Sequence, residues 1–136
     1  MSGQELNDLY LRCLCLWREA RGSSLPALAA INSVITNRMN DPHNRWPKSA
    51  TGVILQPLQF SSFNASDPNS TKLPDPRHPQ DWVAWCDCVL VATAPLGGDN
   101  TNGSTNYHSC EAGKFPSWAD QDKLKVQIGP FYFYAL

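Results

Sequence analysis

The chain has 136 residues, a formal net charge of −1 and 42% hydrophobic residues. This length and composition predict one globular domain, residues 1–136, with a core of its own. The near-neutral charge argues against a nucleic-acid-binding protein, which would carry a strongly basic surface. The longest apolar stretch, Cys88 to Leu96, is too short to span a bilayer, so stable membrane insertion is not expected.

No charged segment followed by an apolar run stands at the N-terminus, so no signal peptide is predicted. We therefore expect synthesis and folding in the cytoplasm. A substrate outside the inner membrane then requires export or release of the protein.

The cysteines give no sign of a metal site. They are Cys13, Cys15, Cys86, Cys88 and Cys110, with C-x-C spacing inside apparent helices and no C-x-x-C pair. That spacing points two side chains to different helix faces, which disfavours structural zinc. We interpret the cysteines as small, mostly apolar side chains in a reducing compartment.

The first predicted helix runs from Glu5 to Arg21, because apolar residues recur there at three- and four-residue steps. Gly22 suits the position after its last turn. Glu19 is the exception on this helix. The negative pole of the helix and the apolar turn below, with Cys15 and Leu16, both favour the protonated acid that a general acid requires.

Further helices are predicted over 25–39, 49–55 and 80–93, with a long Pro- and Asn-rich loop over 64–79. The last of these helices is apolar around most of its circumference, so it is expected to pack centrally. Alternation in Lys125–Ile128 and Phe131–Tyr134 predicts a C-terminal β-hairpin around Gly129-Pro130. The predicted fold class is α+β, mainly α-helical.

Other common catalytic patterns are missing from the sequence. His43, His78 and His108 have no H-x-x-H or H-E-x-x-H spacing, and no phosphate-binding glycine loop or G-x-S-x-G segment is present. Neither a metal nor another cofactor is predicted.

Taken together, several stretches carry a family resemblance. They are W-R-E-A-R-G at 17–22, A-A-I-N-S-V-I-T-N-R at 29–38, V-I-L-Q-P-L-Q-F-S at 53–61, T-N-Y-H at 105–108, P-S-W-A at 116–119 and I-G-P-F-Y-F at 128–133. In this order they resemble the SleB-like cell-wall hydrolases, the family of spore-cortex-lytic enzymes and related phage and bacterial proteins.

The resemblance implies a lysozyme-like or lytic-transglycosylase-like single catalytic domain that cuts the glycan strands of peptidoglycan. Glu19 then takes the family's catalytic acid position. The Q-F-S and Y-H segments line the same groove, which implies substrate binding by Gln59, Phe60, Ser61, Tyr107 and His108. We correspondingly expect a monomer that acts on the cell wall. It would reach the wall either by phage-type release, as an endolysin, or by export.

A glycosidase normally uses two carboxylates, and only Glu19 has a convincing context. Asp41 and Glu111 are loop candidates for a second one. A lytic transglycosylase needs one carboxylate, acting first as acid and then as base, on the bond between N-acetylmuramic acid and N-acetylglucosamine. The alternatives are a hydrolytic muramidase, a non-catalytic glycan-binding or virion structural protein, and a zinc amidase that uses the histidines.

Overall fold

The structure is a computed structural model that describes residues 1–57, 59–94, 98–109 and 113–136. In these ranges, four α-helices precede a three-stranded antiparallel sheet. The helices are α1 (Gly3–Ala20), α2 (Leu25–Met39), α3 (Ala50–Leu55) and α4 (Pro79–Thr93). The strands are β1 (Asn106–Ser109), β2 (Leu124–Ile128) and β3 (Phe131–Tyr134), and short 3-10 turns occupy Ser61–Phe63, Pro68–Thr71 and Gln121–Lys123. The predicted α+β, mainly helical class is confirmed.

Local signals set the helix boundaries. Ser2 and Glu5 form a reciprocal capping box at the start of α1. The side chains of Ser24 and Ser49 accept hydrogen bonds from backbone amides in the first turns of α2 and α3. Gly22 has φ +81° just beyond the end of α1, a left-handed conformation that glycine adopts without a steric cost. The predicted helices therefore form within a residue or two of their expected ends.

The core lies where α1 and α2 meet the inner face of the sheet. A main cluster joins Leu16, Trp17, Leu28, Ile31 and Phe133, all nearly inaccessible to solvent. A second cluster is built around Cys15, Ile35, Val53, Ile54 and Phe60, and Tyr107 packs against both clusters. The C-terminal part of α1 is thus enclosed by both clusters, which fixes the position of its last turn.

Helix α4 does not pack centrally, so that expectation was wrong. Only Cys88 and Val91 of this helix are buried, while Trp82 is 51% and Val83 61% exposed. The helix lies against α1 and α2 on one side. In the described part of the chain, its other side is left open to solvent. The hydrophobicity of a helix does not by itself determine how many elements pack against it, so the sequence-based expectation failed.

The sheet has one strand more than the predicted hairpin. Its order is β1-β3-β2, so the hairpin strand β3 is central and β1 pairs with it antiparallel. The alternating F-Y-F-Y sequence of β3 turns Phe131 and Phe133 toward the main cluster and the tyrosines to the other face. Strand β1 therefore presents its residues alternately to these two faces.

None of the helices in the described ranges is both long and apolar enough to cross a membrane. Cys13, Cys15 and Cys88 are buried free thiols, whereas Cys86 is exposed. Cys110 lies outside the described residues.

Gly22→Ala should lower the free energy of unfolding by about 1 kcal/mol, because the left-handed backbone conformation is sterically unfavourable for a residue with a Cβ. Gly3→Ala, at the start of the same helix, is the matched control and should cause no loss. Both sites leave open space around an added Cβ, so sterics do not separate them. Urea denaturation compares the two; equal stability of the two variants would contradict the conformational explanation.

Candidate active site

Glu19 lies in the last turn of α1, half-buried at the wall of an open cleft of about 390 Å³. One wall comes from the end of this helix and the turn after it. The other comes from the end of β1 and the hairpin turn. The lining residues are Arg18, Glu19, Ala20, Arg21, Ser23, Ser109, Pro130 and Phe131. The cleft is therefore formed between the helical part and the sheet.

Tyr107 connects Glu19 to the sheet. Its hydroxyl donates a hydrogen bond of 2.8 Å to Oε1 of Glu19. The Tyr107 ring stacks on Phe133, with 5.7 Å between centroids, and meets the edge of Phe131 at 5.9 Å. Because packed rings leave the phenol few rotamers, its hydroxyl is held toward the carboxyl group.

Burial raises the pKa of Tyr107 well above its ordinary value, and the neighbouring Glu19 and Cys15 raise it further. The phenol therefore remains protonated and acts as the donor at neutral pH. This donor occupies Oε1 of Glu19, and Oε2 takes no part in the bond.

Both arginines around Glu19 hold the long loop against the end of α1. Arg18 donates from Nε to the backbone oxygen of Lys72 at 3.0 Å, and its guanidinium lies 4.8 Å from the Phe63 ring centroid. Arg21 donates from Nη2 to Oδ1 of Asn69 at 3.2 Å. The predicted loop over 64–79 thus forms part of the surroundings of the cleft, held by charged donors from the helix.

The Asn37-Arg38 pair holds the segment that leads into β1. Asn37 donates from Nδ2 to the backbone oxygen of Ser104 at 2.9 Å, and Arg38 donates from Nε to that of Thr105 at 2.6 Å. Arg38 is buried, and its guanidinium lies 5.2 Å from the Phe60 ring centroid. These contacts fix the start of the strand that carries Tyr107.

The structure brings together two of the predicted site residues, Glu19 and Tyr107. Gln59 and Ser61 are exposed on either side of Phe60, whose side chain is only 1% exposed and packs 6.4 Å from the Tyr107 ring. The Phe60 ring therefore packs against Tyr107 inside the core and offers almost no surface to a ligand. A direct contact of Gln59 or Ser61 with substrate stays a prediction.

His108 does not reach Glu19, although it follows Tyr107 directly. Successive residues of a strand face opposite sides of the sheet, and His108 lies on the outer face. There its Nε2 is hydrogen-bonded to the Tyr134 hydroxyl at 2.9 Å, and its ring stacks on Tyr132. The expectation that the Y-H pair lines one groove thus fails for the histidine side chain, because strand alternation separates the two residues.

Neither candidate for a second carboxylate is found opposite Glu19. Asp41 is buried in a two-pronged ion pair with Arg45, with both N–O distances 3.0 Å, and this pairing holds its pKa far below the usual range. Asp41 lines another cleft, with His43. Glu111 lies outside the described residues. Of the carboxylates in the described ranges, Glu19 alone lines its cleft.

Sequence reasoning missed the connecting contacts of the site. The hydrogen bonds from Arg21 to Asn69 and from Arg38 to Thr105 join residues far apart in the chain. Arg21, Arg38 and Thr105 lie in the stretches that carry the family resemblance, whereas nothing in the sequence marked Asn69. The described residues contain no group of three or more His, Cys, Asp or Glu that could hold a metal ion.

Comparison with known proteins identifies the family. The profile of the cell wall hydrolase family matches residues 22–134, and the chain therefore belongs to that family. The match begins directly after the E-A-R triplet that contains Glu19.

Among curated proteins, the chain is 41% identical over 56 residues to the spore cortex-lytic enzyme of Bacillus subtilis strain 168, which is 41% of this chain and 18% of that protein. It is 36% identical over 61 residues to the spore cortex-lytic enzyme of Halalkalibacterium halodurans, which is 45% of this chain and 18% of the relative. The matched segment thus spans less than a fifth of each relative.

Solved structures share the fold. The catalytic domain of the germination-specific lytic transglycosylase SleB from Bacillus anthracis superposes with a TM-score of 0.68 and 22% identity, covering 98% of both chains. The catalytic domain of the Bacillus cereus SleB protein gives 0.67 at 22% identity, covering 98% of this chain and 94% of that one. At this identity the likeness establishes the architecture, which agrees with the α+β, mainly α-helical fold class expected from the sequence.

Tyr107→Phe should change how stability depends on pH. The pKa of Tyr107 is higher in the folded state than in the unfolded state. The contribution of the protonated phenol to the free energy of unfolding is therefore fully present below pH about 10 and is lost as the pH rises beyond it. The variant should therefore lose less stability than the wild type between neutral pH and pH about 11, measured by urea denaturation with a reductant present.

Tyr10→Phe is the control for that comparison, since Tyr10 is an exposed tyrosine on α1. It should keep the pH dependence of the wild type. The same loss of stability with pH in the wild type and in Tyr107→Phe would contradict a phenol that is buried in the folded state.

Proposed function

We propose that this enzyme cleaves the glycan strands of peptidoglycan between N-acetylmuramic acid and N-acetylglucosamine, with Glu19 as the acid. Membership of the cell wall hydrolase family supports the substrate. The names of the relatives, a spore cortex-lytic enzyme and a lytic transglycosylase, are consistent with it. The observation that carries the proposal is a single carboxylate, held by a phenol donor, at the wall of an open cleft between helices and sheet.

The first step is general acid catalysis. Glu19, protonated on Oε2, gives its proton to the oxygen between the two sugars while the bond from that oxygen to C1 of the muramyl residue breaks. The Tyr107 hydroxyl, already donating to Oε1, stabilises the carboxylate that remains. Because this donor is in place before the reaction, no reorganisation is needed when the charge develops.

The second step uses the same carboxylate as base. Glu19 takes the proton of the muramyl 6-hydroxyl, whose oxygen bonds to C1 and closes a 1,6-anhydro ring. The proton returns to Glu19, so the enzyme is regenerated and no water is consumed. This lytic transglycosylase reaction requires one carboxylate, which matches the composition of the described cleft walls.

Hydrolysis to a free reducing end is the runner-up. It requires a water molecule activated on the face of the sugar opposite the acid, usually by a second carboxylate. Asp41 is unsuited to that task, because both its oxygens are bound by Arg45. The geometry of the described residues therefore favours transglycosylation.

Glu19→Gln should keep the fold and lose nearly all release of soluble fragments from purified peptidoglycan, since the amide is isosteric but donates no catalytic proton. A loss of at least a hundredfold is expected for removal of a general acid. Release of fragments is followed by chromatography of the soluble fraction.

Glu5→Gln is the matched control, because it makes the same change in the first turn of the same helix. Glutamine is also accepted in a capping box, so this variant should remain active. Substantial cleavage by Glu19→Gln would refute the assignment, and absence of cleavage by the wild type would favour a non-catalytic glycan-binding protein.

A further inference from the structure

The outer face of the sheet carries a row of aromatic and polar side chains that the proposed reaction does not use. His108 in β1 is opposite Tyr132 in β3, and Tyr132 is opposite Gln127 in β2. Directly opposed residues share a face, so these three form one row across the sheet. Gln127 is exposed, and its amide donates to the backbone oxygen of Gly129.

The segment before β2 adds two aromatic rings to this face. The Phe115 ring lies 4.8 Å from His108 and 5.0 Å from Tyr132 between centroids. The Trp118 ring meets Tyr134 edge to face at 5.4 Å and His108 at 5.7 Å. We call His108, Phe115, Trp118 and Tyr132 the aromatic platform.

The platform differs from the core in its exposure. Phe115 is 42% and Trp118 38% exposed, whereas Phe131 and Phe133 on the inner face are 6% and 0% exposed. Exposed apolar side chains that form one contiguous patch often mark an interaction site. Because neighbouring rings already hold these side chains in place, they lose little conformational entropy when a ligand binds.

The platform lies at the same end of the sheet as the proposed active site, but on the opposite face, because successive residues of a strand face opposite sides. Ser109 and Phe131 line the cleft of Glu19, and they directly adjoin His108 and Tyr132 in the same two strands. One residue along a strand is only about 3.3 Å. A polymer that leaves the cleft and turns around this end of the sheet meets the platform on the other face.

The chemistry of the platform matches a sugar polymer. The C–H faces of pyranose rings pack on aromatic rings, while hydroxyl and acetamido groups need hydrogen-bond partners close by. Phe115 and Trp118 offer exposed apolar rings, and Gln127 an exposed amide. The platform thus offers both kinds of contact that a sugar unit needs.

We propose that the aromatic platform binds N-acetylhexosamine units of the same glycan strand, outside the bond that is cut. This inference rests on the proposed function, because it takes the polymer in the cleft to be a glycan. The platform then holds the enzyme on its insoluble substrate between cuts, and it contributes to binding of long strands more than of short ones.

Trp118→Ala tests the proposal in two settings. In the Glu19→Gln chain, which binds without cutting, it should weaken sedimentation with purified peptidoglycan severalfold. In the active chain it should slow the solubilisation of intact sacculi, while cleavage of the shortest soluble glycan that the wild type cuts stays unchanged.

Trp82→Ala is the matched control, because Trp82 is an exposed tryptophan on α4, outside the sheet. It should leave both readouts unchanged. Phe115→Ala is a second platform variant in case Trp118→Ala unfolds, and circular dichroism checks folding of each.

Undiminished sedimentation of folded Trp118→Ala and Phe115→Ala would overturn the platform while leaving the Glu19 reaction intact. A change of oligomeric state in these variants, seen by sedimentation velocity, would overturn it in favour of a contact between copies of the chain. If the wild type neither binds nor cuts peptidoglycan, the proposed function itself fails, so the two failures are distinguishable.

Discussion

The hydrogen bond from Tyr107 to Glu19 joins residues 88 positions apart and connects the two parts of the molecule that form the cleft. A hydrogen bond within a protein typically adds about 0.5–1.5 kcal/mol to the free energy of unfolding, so this contact also helps to keep the sheet against the helix. The same contact orients a carboxyl group that sits where α1 ends. The orientation and the hydrogen bonding of Glu19 therefore depend on one tyrosine, while the two core clusters fix the helix turn that carries it.

Other contacts keep that tyrosine and that helix end in place. Arg38 and Asn37 hold the segment before β1, while Arg18 and Arg21 hold the long loop beside Glu19. Arg38 is buried and its Nη1 has no hydrogen-bond partner in the described ranges, which is an energetic cost. The arginines and the asparagine of the stretches 17–22 and 29–38 thus support the site, and the cleft itself exposes a single acid among the described residues.

Much of the fold was predictable because its signals are local. Serine caps, the 3.6-residue period and Gly22 mark the helices, and alternation marks β2 and β3. The strand β1 has only four residues, and its existence depends on pairing with a strand far along the chain. The surroundings of α4 and the separation of His108 from Tyr107 likewise depend on which elements meet in space. For the site, the sequence identified Glu19 and Tyr107 separately, but their hydrogen bond required the folded structure.

The central claim is that Glu19 acts as both acid and base, so that the cleaved strand closes on itself without water. Digestion of purified peptidoglycan in water labelled with heavy oxygen, followed by mass spectrometry of the muropeptides, tests it directly. The mechanism predicts 1,6-anhydromuramyl ends that carry no label. One heavy oxygen at each new muramyl end, with the mass of a reducing sugar, would contradict it and show hydrolysis.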